Sequence, residues 1–261
     1  MRLRVAISFF LCLSILQLPL SGRQPIPPPV PLGMQAVTIL QQSVSSLGSL
    51  PSDSTALGSV SLVAGSDAQV GSIQIQTRGT DQSLEQLTTQ DGTKQTVFSR
   101  GYASALNNAG SRSKYSFELA ASTQSALFPL PLLSGILASP DSAYQLIGSE
   151  TLDGTLCQHI RTWNTYASQP DQQFLAPFTV RDTWIDAKTN LPVKIAYSLR
   201  AGSGAVPSIA VEVTFSDYRA ISGVLYPFQI SESLNGTSWL SITISSVSFN
   251  TGLTDSTFSI Q

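Results

Sequence analysis

The chain has one histidine, His159, so any Ser-His-Asp or Cys-His constellation must be built on it. It stands in Cys157-Gln158-His159-Ile160, a mid-strand context with neither a glycine-rich elbow nor a helix start beside it. Strand parity puts Cys157 and His159 on one face, which allows a thiol–imidazole pair. A nucleophile also needs an oriented base, and no G-x-S-x-G occurs, so the plainer reading of both side chains is structural. Ser111-Arg112-Ser113-Lys114 matches S-x-x-K, the nucleophile motif of penicillin-recognising enzymes. Lys188-Thr189-Asn190 departs from the supporting Lys-Thr-Gly at its third position, and the S-x-x-K lies in a polar loop, so the match is coincidental. The chain is read as non-catalytic.

Metal and nucleotide chemistry find no better footing. One histidine and one cysteine beyond the leader cannot complete a structural zinc site. The closest acidic grouping, Asp182, Asp186 and Glu212, ends at a turn, where a solvated carboxylate is the default. There is no EF-hand loop, P-loop or dinucleotide fingerprint, and no cofactor is expected. The 14 basic and 16 acidic residues are scattered, and without a Lys/Arg block nucleic acid is excluded as a partner. Asn235-Gly236-Thr237 fits a glycosylation pattern, but Asn-Gly is more simply a hairpin turn.

The remaining chemistry is apolar. Trp184, Tyr197, Phe215 and Phe228 lie on or beside predicted strands and would line a pocket if the sheet is curved and incompletely filled. Ala120–Ala138 carries Leu127, Phe128, Leu130, Leu133, Ile136 and Leu137, with helical spacing broken near the middle by Pro129 and Pro131. It reads either as a buried core helix or as a mobile lid over a cavity.

These residues need a frame. An apolar stripe at Val37, Leu40, Val44 and Leu47 predicts a helix over Met34–Ser49, ended by Gly48 and Pro51. Strands are predicted over Ala56–Ala64, Gly71–Arg78, Leu84–Thr88 and Gln95–Arg100, with Asp91-Gly92 as a hairpin turn. From Tyr144 onward everything reads as strand, including Phe178–Asp186 and the closing Phe258-Ser259-Ile260. Clean alternation such as Val193, Ile195, Tyr197 and Leu199 means antiparallel sheet with one buried face. The fold class expected is mainly β with some helix (α+β): a large curved antiparallel sheet or open barrel, closed by an N-terminal helix and a broken central apolar helix.

Composition agrees. Only 11% of residues are charged, so the polar surface must be Ser, Thr, Gln and Asn, which suits strands and turns. Met1-Arg2-Leu3-Arg4 and the apolar run Val5–Leu20 read as a secretory signal peptide over residues 1–22. The run falls short of the ~20 residues of a spanning helix, although an uncleaved inner-membrane anchor is the alternative. A Pro-rich linker over 23–33 then leads to one domain over 34–261. Export places the domain in the periplasm or outside the cell, where Cys157, alone after cleavage, has no internal disulfide partner.

Three stretches resemble the LolA-like superfamily of periplasmic lipoprotein and lipid carriers. They are Ile147–Ile160, Trp184–Lys194 with its Asp186-x-x-Thr189-x-Leu191-Pro192 turn, and Phe215–Phe228 followed by Val247-Ser248-Phe249-Asn250 and Phe258. The resemblance covers the C-terminal half well and the N-terminal half in element order. It implies an open barrel whose helices close an apolar cavity, with Arg78 and Arg100 as candidates for a cavity arginine. It also implies an apolar ligand such as a lipid or a lipoprotein acyl chain. The alternative is an envelope sensor or interaction module that binds an envelope protein on the same fold.

Overall fold

A computed structural model describes residues 32–64, 67–123, 125–200 and 208–260. The expected signal peptide and most of the expected Pro-rich linker lie outside these residues. The hairpins follow from local backbone chemistry. Asp153-Gly154, Ser222-Gly223 and Asn235-Gly236 each have two successive residues at positive φ, as does Arg100-Gly101. Paired positive φ matches the twist of a two-residue hairpin and favours Asn, Asp and Gly there.

Among the described residues there are thirteen strands, all antiparallel to their neighbours: β1 (Asp53–Ala64), β2 (Asp67–Arg78), β3 (Gln82–Thr89), β4 (Gly92–Ser99), β5 (Tyr102–Leu106), β6 (Arg112–Lys114), β7 (Ser142–Leu152), β8 (Thr155–Asn164), β9 (Arg181–Asp186), β10 (Pro192–Leu199), β11 (Ile209–Ile221), β12 (Val224–Leu234) and β13 (Thr237–Phe249). They form one curved, unclosed sheet in the order β6-β5-β4-β3-β2-β1-β13-β12-β11-β10-β9-β8-β7. The central contact is long-range: β1 pairs with β13, for example Val60 with Ile242. A mainly-β, open architecture is therefore what the alternation predicted.

Helices α1 (Leu32–Leu47) and α3 (Pro129–Ala138) share the main core with the concave face. That core unites Leu40, Ile75, Leu133, Ile195, Tyr226 and Ile242. The stripe α1 buries is Ala36, Leu40, Ser43 and Leu47, whereas Val37 and Val44 are only partly covered. Small Ala36 and Ser43 let the helix lie close to its neighbours, so size alone misplaced the face by part of a turn. At its end Gly48 has φ +106°, and a side chain there would strike the Gly223 carbonyl.

Several boundaries differ from the sequence expectation. The second helical region begins at Phe117, as α2 (Phe117–Thr123), and is interrupted before Pro129. The region is thus two short pieces, as the prolines imply, and Pro129 and Pro131 lie in the first turn of the second, α3, where a proline sacrifices no intrahelical bond. The two-residue turn between β3 and β4 is Gln90-Asp91, one residue earlier than expected, with Thr89 paired to Gly92. Phe178 ends a 3-10 helix, Pro170–Phe178, and β9 starts only at Arg181. Phe258 lies in another such turn, Asp255–Phe258, and packs on Leu84 and Val97. Its apolar character reflects that contact and not strand pairing. Among the described residues no helix is long and apolar enough to cross a membrane.

Candidate functional site

An open pocket of about 730 Å³ lies where β4, β5, α2, β8, β9 and the 170–178 helix approach one another. At its rim stand Tyr102, Phe117 and Phe174, which are 58%, 57% and 55% exposed. Three large exposed aromatics grouped together are unusual on a protein whose other described aromatics are buried or half-buried. Each has a local cause. Tyr102 leaves the Arg100-Gly101 turn, Phe117 opens α2, and Phe174 lies on the helix begun by Pro170. The Tyr102 and Phe117 ring centroids are 6.0 Å apart.

The wall deeper in is more polar. Register places Thr162, Arg181 and Tyr197 side by side on β8, β9 and β10, on the concave face. Arg181 is 3% exposed, and its guanidinium carbon lies 5.4 Å from the Tyr197 ring centre. Nη1 donates to the Thr179 carbonyl at 3.1 Å and Nη2 to the Ser122 carbonyl at 3.4 Å, while Nε has no partner. Burial pushes its pKa down from the ordinary value, with Tyr197 and Tyr166 opposing that shift. The ion pairs of the described arginines join Arg78 and Arg100 to Asp255, Arg161 to Asp182 and Arg219 to Asp217; Arg181 has none.

Two acids share the concave face. Burial, with the Glu85 charge adding to it, raises the Glu232 pKa to about 7, although the Trp239 indole N–H donates to its carboxylate at 2.9 Å. Burial likewise raises the Glu85 pKa, opposed by a hydrogen bond from the Ser125 hydroxyl.

Of the residues marked from sequence, Ile136 lines the pocket. Leu127, Phe128, Leu130 and Leu133 are buried in the main core with Phe215 and Phe228, and Leu137 packs against it. The Phe128 and Tyr226 ring centroids are 4.4 Å apart. Tyr197 lies against Arg181 beside the pocket wall. Trp184 lies on the opposite, convex face, stacked on His159 at 4.2 Å, with the Lys194 ammonium 3.9 Å from its ring centre. Arg78 and Arg100 both reach Asp255 near the chain's C-terminal turn, at 2.5 and 3.0 Å; Arg100 also reaches the pocket mouth. The deeply buried arginine on the concave side is Arg181, which sequence reasoning missed. Its signal was phase: Arg181, Thr183 and Ile185 share a face, and Ile185 is core.

The chemistry weighed at His159 does not assemble. Its Nδ1 is 3.1 Å from Glu150 and its Nε2 2.8 Å from Asp182, so neither nitrogen serves Cys157. The Cys157 thiol is buried and contacts the Thr155 carbonyl at 3.4 Å. Burial, and then Asp186, push its pKa up, which makes a poor nucleophile. Ser111, Arg112, Ser113 and Lys114 are all exposed. Among the described residues no three His, Cys, Asp or Glu side chains converge to hold a metal ion.

No family model matches the chain, and no curated protein does. Solved structures do. A domain from Vibrio parahaemolyticus, described as an outer membrane lipoprotein-sorting protein, matches with TM-score 0.58 and 13% identity over 87% of this chain and 97% of its own. A DUF1329 family protein from Desulfovibrio piger matches with TM-score 0.58 and 14% identity over 88% and 99%. A LolA superfamily protein from Nitrosomonas europaea matches with TM-score 0.56 and 14% identity over 86% and 97%. At these identities the likeness establishes a shared fold, that of the LolA-like open barrel.

Proposed function

We propose that the chain is an envelope-side, non-catalytic binding protein that holds a lipid or acyl chain in the pocket of the concave face. The observation that carries this reading is the exposed aromatic rim of Tyr102, Phe117 and Phe174 around a volume of about 730 Å³. Such a volume suits a single small amphiphile, and exposed rings gain about 25 cal/mol for each Å² of apolar surface that a chain covers. The Vibrio domain's description as lipoprotein-sorting supports an acyl chain as the kind of ligand. In this reading residues 1–22 direct export, residues 23–33 act as a spacer and residues 34–261 bind. The apolar side chains of α3 form the wall behind Ile136, and the ligand space extends toward them if α3 shifts.

The test is a lipid extract of the full chain purified from its native envelope, analysed by mass spectrometry. A stoichiometric lipid or acyl species is the expected result. A lipid-free extract, together with no uptake of fluorescent fatty acid, would overturn the reading and favour an envelope protein as partner.

A further inference from the structure

We propose that the ligand is an anionic amphiphile, and that Arg181 receives its carboxylate or phosphate head within the pocket. This rests on the pocket reading above and adds the chemistry of the ligand's polar end. A buried cation is costly unless an anion and hydrogen bonds replace its lost water. Arg181 is buried, carries no ion pair, and leaves Nε unpaired. Its two filled donors go to the Thr179 and Ser122 carbonyls, which are neutral. Glu85 and Glu232 of this face are engaged with Ser125 and Trp239, and Asp81, which lines the same pocket, makes no ion pair with Arg181. Of the arginines nearer the surface, Arg78, Arg100, Arg161 and Arg219 each have a carboxylate partner.

Position completes the argument. Arg181 belongs to the pocket wall, beside Thr162, Asn164 and Thr179, while the exposed aromatic rings stand at the rim. A single-chain amphiphile can place its head on the guanidinium and its tail along the rings. The planar fork suits the two oxygens of a carboxylate or phosphate, and Tyr197 supports its other face. Lipid phosphates and free fatty acids share this chemistry.

The test uses the delipidated full chain and three probes of equal tail, dodecanoate, dodecyl phosphate and dodecanol, followed by calorimetry. Both anions should bind at least roughly tenfold tighter than dodecanol, since a charge-assisted hydrogen bond is worth that much. Whichever anion binds tighter identifies the source, fatty acid or phospholipid. Arg181→Met should reduce both anions to the level of dodecanol while leaving dodecanol binding in place. On the unmodified protein, raising salt should weaken the anions and spare the alcohol, which keeps the test valid if the variant does not fold. Dodecanol binding as tightly as the anions, a preference that survives Arg181→Met, or equal salt responses would each overturn this proposal alone. Failure of all three probes to bind would overturn the pocket reading itself.

Discussion

Trp239 donates its indole N–H to Glu232 at 2.9 Å across an irregularity in the β12–β13 pairing, where the register shifts between Glu232 and Ser233. The bulge turns a ring toward a carboxyl that would otherwise be buried without a donor. Even so, burial raises that carboxyl to about 7. Below the unfolded value of 4.5 both states hold the proton and Glu232 has no effect on stability. Between 4.5 and about 7 the unfolded chain ionises first, so stability falls as pH rises. Above that the loss is complete, on the order of 3 kcal/mol. Glu232→Gln keeps an acceptor for Trp239 and removes the titration. Its melting temperature should exceed the parent's by several degrees at pH 8 and match it at pH 4. Equal temperatures at both pH values would contradict this.

Asp53 works in the opposite direction. Burial opposes its ionisation, but Thr251 N at 2.7 Å, Thr251 Oγ1 at 2.8 Å, Gly252 N at 3.0 Å and Leu253 N at 3.3 Å hold the carboxylate, and its pKa is lowered. A lowered carboxylate stabilises the fold above its unfolded pKa and ceases to do so as pH falls through the folded value. Asp53→Ala should cost about 2–4 kcal/mol at pH 7, with several donors left unpaired. The gap should narrow at pH 3 in urea titrations. Early proteolysis after residue 250 would accompany it, because this carboxylate anchors the turn that carries Phe258 onto Leu84 and Val97.

Phe117→Ser combined with Phe174→Ser should leave the melting temperature within about a degree, since exposed positions contribute little to folding. Affinity for a fluorescent fatty acid should fall roughly tenfold, as less apolar surface is left for the chain to cover. Unchanged affinity would move the binding site away from this rim.

Leu133→Glu places a carboxylate where α3 meets the sheet, at a residue with no exposure. The cost of an unpaired buried charge, several kcal/mol, should abolish cooperative unfolding. A variant that folds and fails to bind would instead extend the ligand space beneath α3.

Much of the fold was legible because its causes are local. Asn235-Gly236 and Asp153-Gly154 adopt positive φ cheaply, and the alternation through Ile195 and Tyr197 specifies which face is wet. The termini of elements were less legible. Pro129 reads as a breaker within a helix and as a favourable start at its first position, and only the break before it distinguishes the two. The α1 face was misjudged because Ala36 and Ser43 are buried for their smallness, a property that matters only against a neighbour.

By itself the sequence determined most strands, most hairpins and the amphipathic helix, all of which depend on residues within a few positions of one another; the short strands β5 and β6 carry no such local pattern. The tertiary structure alone decided the pairing of β1 with β13, which closes a long loop and has no local signature. It also decided the site. Tyr102, Phe117 and Phe174 come from a hairpin, a helix and a later 3-10 turn, and they meet because the sheet curves and stays open. Arg181 is in phase with core residues, but phase cannot say whether a face meets packing or a cavity. That depends on how far α2 and α3 fill the concavity, a property of the whole assembled sheet.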